Sequence, residues 1–121
     1  MPATVLVVDD DRDIRDTLVE LLEDHGYHTL GASNGVEALD VLRTSADVPC
    51  LILLDLMMPV MDGREFREEQ LKNPAWTEIP VIVISAYSDV ADQARALDVD
   101  HLRKPLGTRP LIEAVRRYCA A

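Results

Sequence analysis

Val5-Leu6-Val7-Val8-Asp9-Asp10 and Leu51-Ile52-Leu53-Leu54-Asp55 are the two stretches that decide the fold of this chain. Each contains a continuous apolar run, which is typical of a strand covered on both faces within a parallel sheet. Each run ends on aspartate, and a carboxylate at the tip of a buried strand is unfavourable unless it has a partner. Two such tips in a chain of 121 residues predict a shared anionic pocket that favours a divalent cation.

Strand and helix patterns alternate five times outward from these stretches. The predicted strands are residues 4–9, 27–32, 50–55, 79–84 and 98–103; the second is polar and indicates an edge strand, and the other four are predicted to be continuous apolar runs. Five helices are predicted. The first contains Ile14 and stops at Gly26, the second starts at Asn34, and the third starts at Asp62. The fourth follows Ser88, and the fifth starts near Thr108. This alternation predicts one α/β domain, a parallel sheet joined by right-handed helical crossovers.

Helix starts are marked by side chains that can cap them. Asn34 and Asp62 each precede a glutamate by three residues, which predicts two capping boxes. Asp11 is predicted to be the N-cap of the first helix rather than a metal ligand.

Composition limits the kinds of function that the chain can have. The length fits one domain, predicted over residues 1–121, and a hydrophobic fraction of 48% is typical of a folded protein. The net charge of -10 argues against direct binding of nucleic acid or of anionic membrane surfaces. No apolar stretch reaches the roughly 20 residues of a membrane span, and the N-terminus has no basic segment of a signal peptide.

The two cysteines, Cys50 and Cys119, are far apart in sequence and lack the spacing of a zinc site. We predict that both are reduced thiols and that the protein is cytoplasmic.

Polar side chains gather at the predicted carboxyl ends of four strands: Asp9, Asp10, Asp55, Ser85 and Lys104. Parallel sheets bind ligands at this edge. Crowded carboxylates recruit a cation, and their hard oxygen atoms suit Mg²⁺, with Asp10 and Asp55 as predicted direct ligands and Asp9 acting through water. A hydroxyl and an ammonium beside that metal complement a phosphoryl group, and Asp55 is the candidate nucleophile that would form an acyl phosphate.

From residue 4 to residue 119 the chain resembles a response-regulator receiver domain of two-component systems, with the architecture of a stand-alone, chemotaxis-type receiver. The motifs that carry the resemblance are Val7-Val8-Asp9-Asp10, Asp55-Leu56-Met57-Met58-Pro59, Met61-Asp62-Gly63, Ser85-Ala86 and Lys104-Pro105. Their order and spacing agree throughout, so the combined signal is specific although each motif alone is weak.

The resemblance implies a flavodoxin-like (βα)5 fold with strand order 2-1-3-4-5 and helices on both faces. It implies that Asp55 accepts a phosphoryl group from a histidine kinase or a phosphotransfer protein. It also implies Mg²⁺ bound by Asp10, Asp55 and the Met57 carbonyl, with Asp9 nearby, and a cis peptide at Lys104-Pro105. Ser85 would turn toward the phosphoryl group and switch a face built from helix 4, strand 5 and helix 5, which a downstream effector protein reads.

Three positions depart from the family pattern or vary within it. His101 stands where the family commonly has a switch tyrosine or phenylalanine; it is either a pH-sensitive coupling residue or an ordinary half-exposed histidine at a strand edge. Met57 and Tyr87 occupy positions that tune phosphoryl lifetime in the family. A thioether cannot position an attacking water and a tyrosine ring could shield the acyl phosphate, so we predict slow self-dephosphorylation.

Competing functions are weighed on the same residues. A phosphatase of the haloacid-dehalogenase type needs a second aspartate two residues after the nucleophile, but that position is Met57. A pseudo-receiver that binds partners without phosphorylation is disfavoured by the intact acidic set. No glycine-rich phosphate loop is present, so nucleotide hydrolysis has no support. We therefore predict a phosphoacceptor switch rather than an enzyme, acting as a monomer or weak dimer.

Overall fold

The computed structural model describes residues 3–119, so residues 1, 2, 120 and 121 of the predicted domain lie outside the described residues. The strands are β1 Thr4–Val8, β2 His28–Ala32, β3 Leu51–Asp55, β4 Val81–Ser85 and β5 Asp100–Arg103; the helices are α1 Arg12–Asp24, α2 Gly35–Thr44, α3 Gly63–Leu71, α4 Val90–Ala96 and α5 Thr108–Arg116. The predicted alternation is confirmed, and the strand ends differ by no more than two residues.

All five strands are parallel and lie in the order β2-β1-β3-β4-β5. This confirms the predicted fold class and strand order. The chain reverses direction across the sheet between β1 and β3, and parallel sheets of this type open a crevice at that point beyond the carboxyl ends of the strands. The motif aspartates follow or end these two strands.

The side chains of the central strands alternate between two apolar layers, as the pleat of a strand requires. Val5, Val7 and Leu53 pack with α1 and α5 on one face, whereas Leu6 and Leu54 pack with α2, α3 and α4 on the other. Every residue of β1, β3 and β4 is buried. Two-sided burial explains why these three strands have apolar sequences.

The sequence prediction was wrong for β5. It is the second edge strand, and its residues Asp100, His101 and Arg103 are exposed, with only Leu102 partly buried. An edge strand has one neighbour and needs no continuous apolar run. The polar edge strand β2 was predicted correctly.

Helix capping follows the sequence with one difference. Asp62 and Glu65 form the full predicted capping box, and Asp11 caps α1. The Asn34 side chain accepts from the Glu37 backbone N–H, but the Glu37 carboxylate accepts from Ser33 instead of from the Asn34 backbone.

The prediction of two reduced thiols is wrong in this structure. Cys50 and Cys119, 69 residues apart, form a disulfide with a Cα–Cα distance of 5.6 Å, inside the usual range for such bonds. Cys50 immediately precedes β3 and Cys119 follows α5, and both pack in the layer that contains α1 and α5. Sequence separation does not reveal this proximity, because the packing of α5 under the sheet creates it.

Within residues 3–119, no helix combines the length and the hydropathy needed to cross a bilayer.

Candidate phosphoacceptor site

The three predicted carboxylates meet at the carboxyl ends of β1 and β3. One oxygen each of Asp9, Asp10 and Asp55 lies within 4.8 Å of the others. Asp9 and Asp55 are buried, while Asp10 is exposed at the rim. The cluster forms because β1 and β3 are adjacent parallel strands, so their carboxyl ends lie at one edge of the sheet.

Lys104 reaches the same cluster from the segment between β5 and α5. Its Nζ donates to Asp9 Oδ2 at 2.9 Å and lies 3.5 Å from Asp55 Oδ2. The lysine side chain is only 15% exposed, so this is a largely buried bridge between two carboxylates. A single ammonium offsets only part of the two negative charges, and the third carboxylate, Asp10, adds to the imbalance.

Burial first, and the Asp9 charge second, raise the pKa of Asp55 from 3.8 to about 7, although Lys104 and a hydrogen bond from Met57 oppose the shift. Burial alone would lower the pKa of Lys104, but its hydrogen bond to Asp9 and the charges of Asp55 and Asp9 raise it overall. Lys104 therefore stays an ammonium at neutral pH, while Asp55 is poised between its two protonation states.

Backbone and arginine contacts hold the strand tips in place. Asp9 Oδ1 accepts from the Asp11 N–H at 2.9 Å, and the Asp9 carbonyl accepts from Arg15 Nη1 at 2.6 Å. Asp55 Oδ1 accepts from the Met57 N–H at 3.3 Å. The positioning role of Arg15 was not predicted. Its only signal in the sequence is its place in the first helix, six residues after Asp9.

Gly63 sets the distance between α3 and the tip of β3. Its N–H donates to the Leu56 carbonyl at 3.0 Å, and a Cβ at this position would lie 2.6 Å from the Asp55 carbonyl oxygen and 2.9 Å from the Leu56 Cα. Only glycine permits this approach. The Met61-Asp62-Gly63 motif contained this residue, but no reason for a glycine was evident without the packing.

Ser85 ends β4 beside this pocket and is buried. Its Oγ accepts from the Tyr87 N–H at 3.1 Å, which leaves the hydroxyl proton free to donate to a ligand. Tyr87 and Met57 are 55% and 56% exposed. Their role in phosphoryl lifetime stays a prediction.

The structure does not bring His101 into the pocket. It lies exposed in the middle of edge strand β5, in register with Val83. Both interpretations of this histidine stay open. The Lys104-Pro105 peptide bond that precedes α5 is cis.

The donor set fits a hard divalent cation. The oxygen atoms of three carboxylates lie close together, and Lys104 is the ammonium that pairs with the two buried ones, so negative charge is in excess. All three side chains offer hard oxygen ligands. Mg²⁺ prefers oxygen ligands and keeps several waters, and the exposed Asp10 leaves one side open to solvent.

Comparison with known proteins identifies the family. The family model of the response regulator receiver domain matches residues 5–116. The chain belongs to the response-regulator receiver family. It is 39% identical over 120 residues to an uncharacterized 14.6 kDa protein of Leptolyngbya boryana, covering 97% of this chain and 90% of that protein.

A second relative and a solved structure agree with this assignment. Response regulator MprA of a Mycobacterium species is 37% identical over 119 residues, covering 96% of this chain and only 50% of that regulator. The chain thus spans half the length of this relative. The Vibrio cholerae chemotaxis protein CheY4 superposes with a TM-score of 0.86 at 27% identity, covering 98% of this chain and 99% of that one. The chain is therefore a receiver domain of two-component signalling, a phosphoacceptor switch by family.

Proposed function

We propose that this receiver accepts a phosphoryl group on Asp55 in a Mg²⁺-dependent reaction and thereby switches its α4-β5-α5 face to control a partner protein. One observation carries the proposal: Lys104 Nζ bridges two buried strand-tip carboxylates, at 2.9 Å from Asp9 and 3.5 Å from Asp55. A merely structural ion pair needs one carboxylate. Here the second carboxylate and the neighbouring Asp10 keep negative charge in excess, as a cation-assisted site for an anionic group requires.

In the transfer, an ionised oxygen of Asp55 attacks phosphorus, the P–N bond of a phosphohistidine breaks, and its electron pair returns to the imidazole. Lys104 is placed to bind one phosphoryl oxygen and Ser85 to donate its free hydroxyl proton to another. Mg²⁺ held by Asp10, Asp55 and the Met57 carbonyl, with Asp9 acting through water, would supply positive charge against the phosphoryl oxygens. The raised pKa of Asp55 makes such cationic neighbours necessary, since only the ionised carboxylate is a nucleophile.

Switching is proposed to begin at Ser85. Turning its hydroxyl toward the phosphoryl group gives up the hydrogen bond that Tyr87 now donates to Oγ, which loosens the segment before α4. His101 of β5 lies exposed on the same face and stands at the family's switch position.

The phosphodonor is proposed to dock beside Lys104. A groove of about 470 Å³ opens there, with apolar walls from Ile14, Leu18, Pro105 and Leu106. We propose a histidine kinase or histidine phosphotransfer protein as the donor, a protein effector as the receiver of the signal, and a cytoplasmic location.

The test is phosphorylation with a small donor. The 121-residue chain is incubated with Mg²⁺ and acetyl phosphate, and its intact mass is measured with time. We expect a single alkali-labile phosphate, absent without Mg²⁺ and absent in Asp55→Asn. The matched control is Asp62→Asn, which removes a carboxylate from the same loop but keeps an N-cap residue.

Two results would contradict the proposal. One is an unchanged adduct in Asp55→Asn, which would place the phosphate on another residue. The other is no adduct with acetyl phosphate or with any phosphohistidine donor, as a pseudo-receiver requires.

A further inference from the structure

The disulfide between Cys50 and Cys119 lies away from the phosphoacceptor site. Cys50 precedes the first residue of β3, whereas Asp55 is the last residue of that strand. The two sites therefore lie at opposite ends of the same buried strand. The proposed phosphorylation uses neither cysteine, and these are the only two in the sequence.

The two cysteine residues differ in exposure. Cys119 is only 2% exposed, whereas Cys50 is partly exposed. Thiol–disulfide exchange needs access to one sulfur, and the other sulfur leaves as a thiolate. The geometry therefore singles out Cys50 Sγ as the sulfur that a solution thiol can attack, with Cys119 as the leaving group.

The surroundings suit both redox states. In the reduced state, the Cys50 thiol has an acceptor already in place, since its Sγ lies 3.3 Å from the Thr4 carbonyl oxygen. The Cys119 carbonyl accepts from the buried Tyr27 hydroxyl at 3.3 Å. Reduction would thus leave the Cys50 thiol with an acceptor and the Cys119 thiol, a weakly polar group, in apolar packing, so the fold would survive the loss of the bond.

The bond holds the far end of α5. That helix ends at Arg116, and its last turn is followed by Tyr118, which is exposed, and Cys119, which is buried. Once the disulfide opens, Cys119 keeps its apolar packing, the hydrogen bond from Tyr27 to its carbonyl, and the bond from its own N–H to the Val115 carbonyl at 2.9 Å. Beyond the disulfide, the only side-chain hydrogen bonds that the structure gives to residues 117–119 are those of Cys119 with Tyr27 and of Tyr118 with Asp100. Helix ends open locally at low free energy when few contacts hold them.

We propose that Cys50–Cys119 is a reversible thiol–disulfide exchange site whose redox state controls the order of the C-terminal end of α5. Two molecules of a low-molecular-weight monothiol, or one molecule of a dithiol, supply two electrons and two protons. The first thiolate bonds to Cys50 Sγ and releases Cys119 as thiolate. The second thiolate breaks this mixed disulfide and releases Cys50, so that the reductant leaves as a disulfide and both cysteines become thiols.

The exchange chemistry does not depend on the proposed phosphorylation. Only the cytoplasmic setting, in which disulfides are usually transient, rests on the proposed function.

The first experiment tests the bond and its reversibility in the native protein. Air-oxidised protein is alkylated with iodoacetamide before and after treatment with dithiothreitol, without denaturant, and its intact mass is measured. We expect no adducts before reduction, two after it, and none again after reoxidation with glutathione disulfide. Two adducts under every oxidising condition would show that the bond does not form, and a bond that opens only in denaturant would be purely structural; either result overturns the proposal.

The second experiment tests which sulfur is attacked. Cys119→Ser leaves Cys50 alone, and Cys50→Ser leaves Cys119 alone. With glutathione disulfide in excess, we expect the Cys119→Ser protein to form its mixed disulfide at least about tenfold faster, because the remaining thiol is the accessible one. Equal rates, or a faster reaction at Cys119, would contradict the assignment of Cys50.

The third experiment tests the effect on α5. Hydrogen exchange of residues 112–119 is compared between oxidised and reduced wild-type protein, together with the melting temperature. We expect faster exchange confined to the end of α5 and a melting temperature lower by about 10 °C, because opening a long covalent loop restores entropy to the unfolded chain. The Cys50→Ser, Cys119→Ser double variant is the control, and dithiothreitol should leave its melting temperature unchanged.

Acetyl phosphate labelling of Asp55 in both redox states separates this proposal from the proposed function. Unchanged exchange in α5 on reduction overturns the redox proposal whether or not Asp55 is phosphorylated. Loss of labelling in both states, with α5 still responsive, would instead overturn only the proposed phosphorylation.

Discussion

The protonation of Asp55 is set by its surroundings. Its position at the end of a buried strand removes it from water, and the Asp9 charge reinforces that effect, so its pKa rises to about 7. Lys104 and the Met57 N–H limit the rise. The metal-free native state therefore binds a proton on Asp55 that the unfolded chain, with a pKa near 3.8, has already lost.

This raised pKa gives a pH dependence with a defined sign. Because the native state binds more protons between pH 4 and 7, the contribution of Asp55 to the free energy of unfolding falls as pH rises through that range and then levels off. The asparagine of Asp55→Asn cannot ionise, so the stability of this variant does not fall for that reason. With a chelator present, we expect the melting temperature of the variant minus that of wild type to rise by about 5 °C or more from pH 5 to pH 8.

The exposed Asp47→Asn variant is the control and should show no such trend. A constant difference between Asp55→Asn and wild type across that range, measured by thermal unfolding, would contradict the raised pKa.

Val60 is a second residue whose local conformation has a measurable consequence. It lies in the loop between β3 and α3 with φ of 68°, a left-handed conformation that is unfavourable for a β-branched side chain, and it is 80% exposed. Val60→Asn should raise the free energy of unfolding by about 1 kcal/mol, because asparagine tolerates this conformation.

Val48→Asn is the matched control, at a site that is 68% exposed and has no positive φ. Urea unfolding of this variant should show a change below about 0.5 kcal/mol. Equal effects of the two variants would refute the argument from backbone strain.

At the scale of elements, the junction of β3 and α3 positions Asp55, the proposed phosphoacceptor. The capping box of Asp62 and Glu65 fixes the start of α3, and Gly63 lets that start lie against the backbone of residues 55 and 56. The atoms nearest to Gly63 belong mainly to the main chain, so a larger side chain cannot be accommodated by a change of rotamer. The position of Asp55 is thus tied to the start of the next helix.

Gly63→Ala tests this junction. In an open helix position, alanine would stabilise the protein, but here its Cβ would clash with the Asp55 carbonyl and the Leu56 Cα. We expect a loss of about 1–3 kcal/mol in urea unfolding and slower labelling by acetyl phosphate. Gly31→Ala is the control, since its Cβ would meet only the Arg15 side chain at 3.6 Å, and it should change stability by less than about 0.5 kcal/mol. A stable, normally labelled Gly63→Ala protein would show that the close approach is unimportant.

At the scale of the whole molecule, the fold concentrates uncompensated charge at one pole. The chain has a net charge of -10, and most acidic side chains are exposed and solvated, but Asp9 and Asp55 are buried together with a single lysine. Folding therefore works against electrostatic repulsion at this pole, and a bound cation would relieve it.

Mg²⁺ should accordingly stabilise the folded protein. At a hundredfold excess over its dissociation constant we expect about 2.7 kcal/mol of added stability, seen as a higher melting temperature at constant ionic strength. Asp10→Asn should abolish most of this response and slightly raise the stability of the metal-free protein, because it removes an exposed ligand without disturbing the core. Asp11→Asn removes the adjacent charge, keeps an N-cap residue and should respond like wild type. A full response in Asp10→Asn would remove this residue from the proposed metal site.

The local pattern of the sequence determined the five strand–helix units, the caps at Asp11 and Asp62, and the gathering of Asp9, Asp55 and Ser85 at one edge of the sheet. These features depend on residues close together in the chain, or on the rule that parallel strands share one carboxyl edge. The family resemblance added the strand order. The exposure of β5 was mispredicted, because the position of a strand within a sheet depends on its neighbours.

Only the tertiary structure decided which distant side chains touch. It placed Lys104 between Asp9 and Asp55, brought Arg15 to the Asp9 carbonyl, and packed Gly63 against the tip of β3. It also joined Cys50 to Cys119 across 69 residues. Contacts of this kind depend on how α5 and the crossover loops pack onto the sheet. Hydrophobic periodicity indicates which face of a helix or strand is buried, but it does not indicate which side chains of other elements that face contacts.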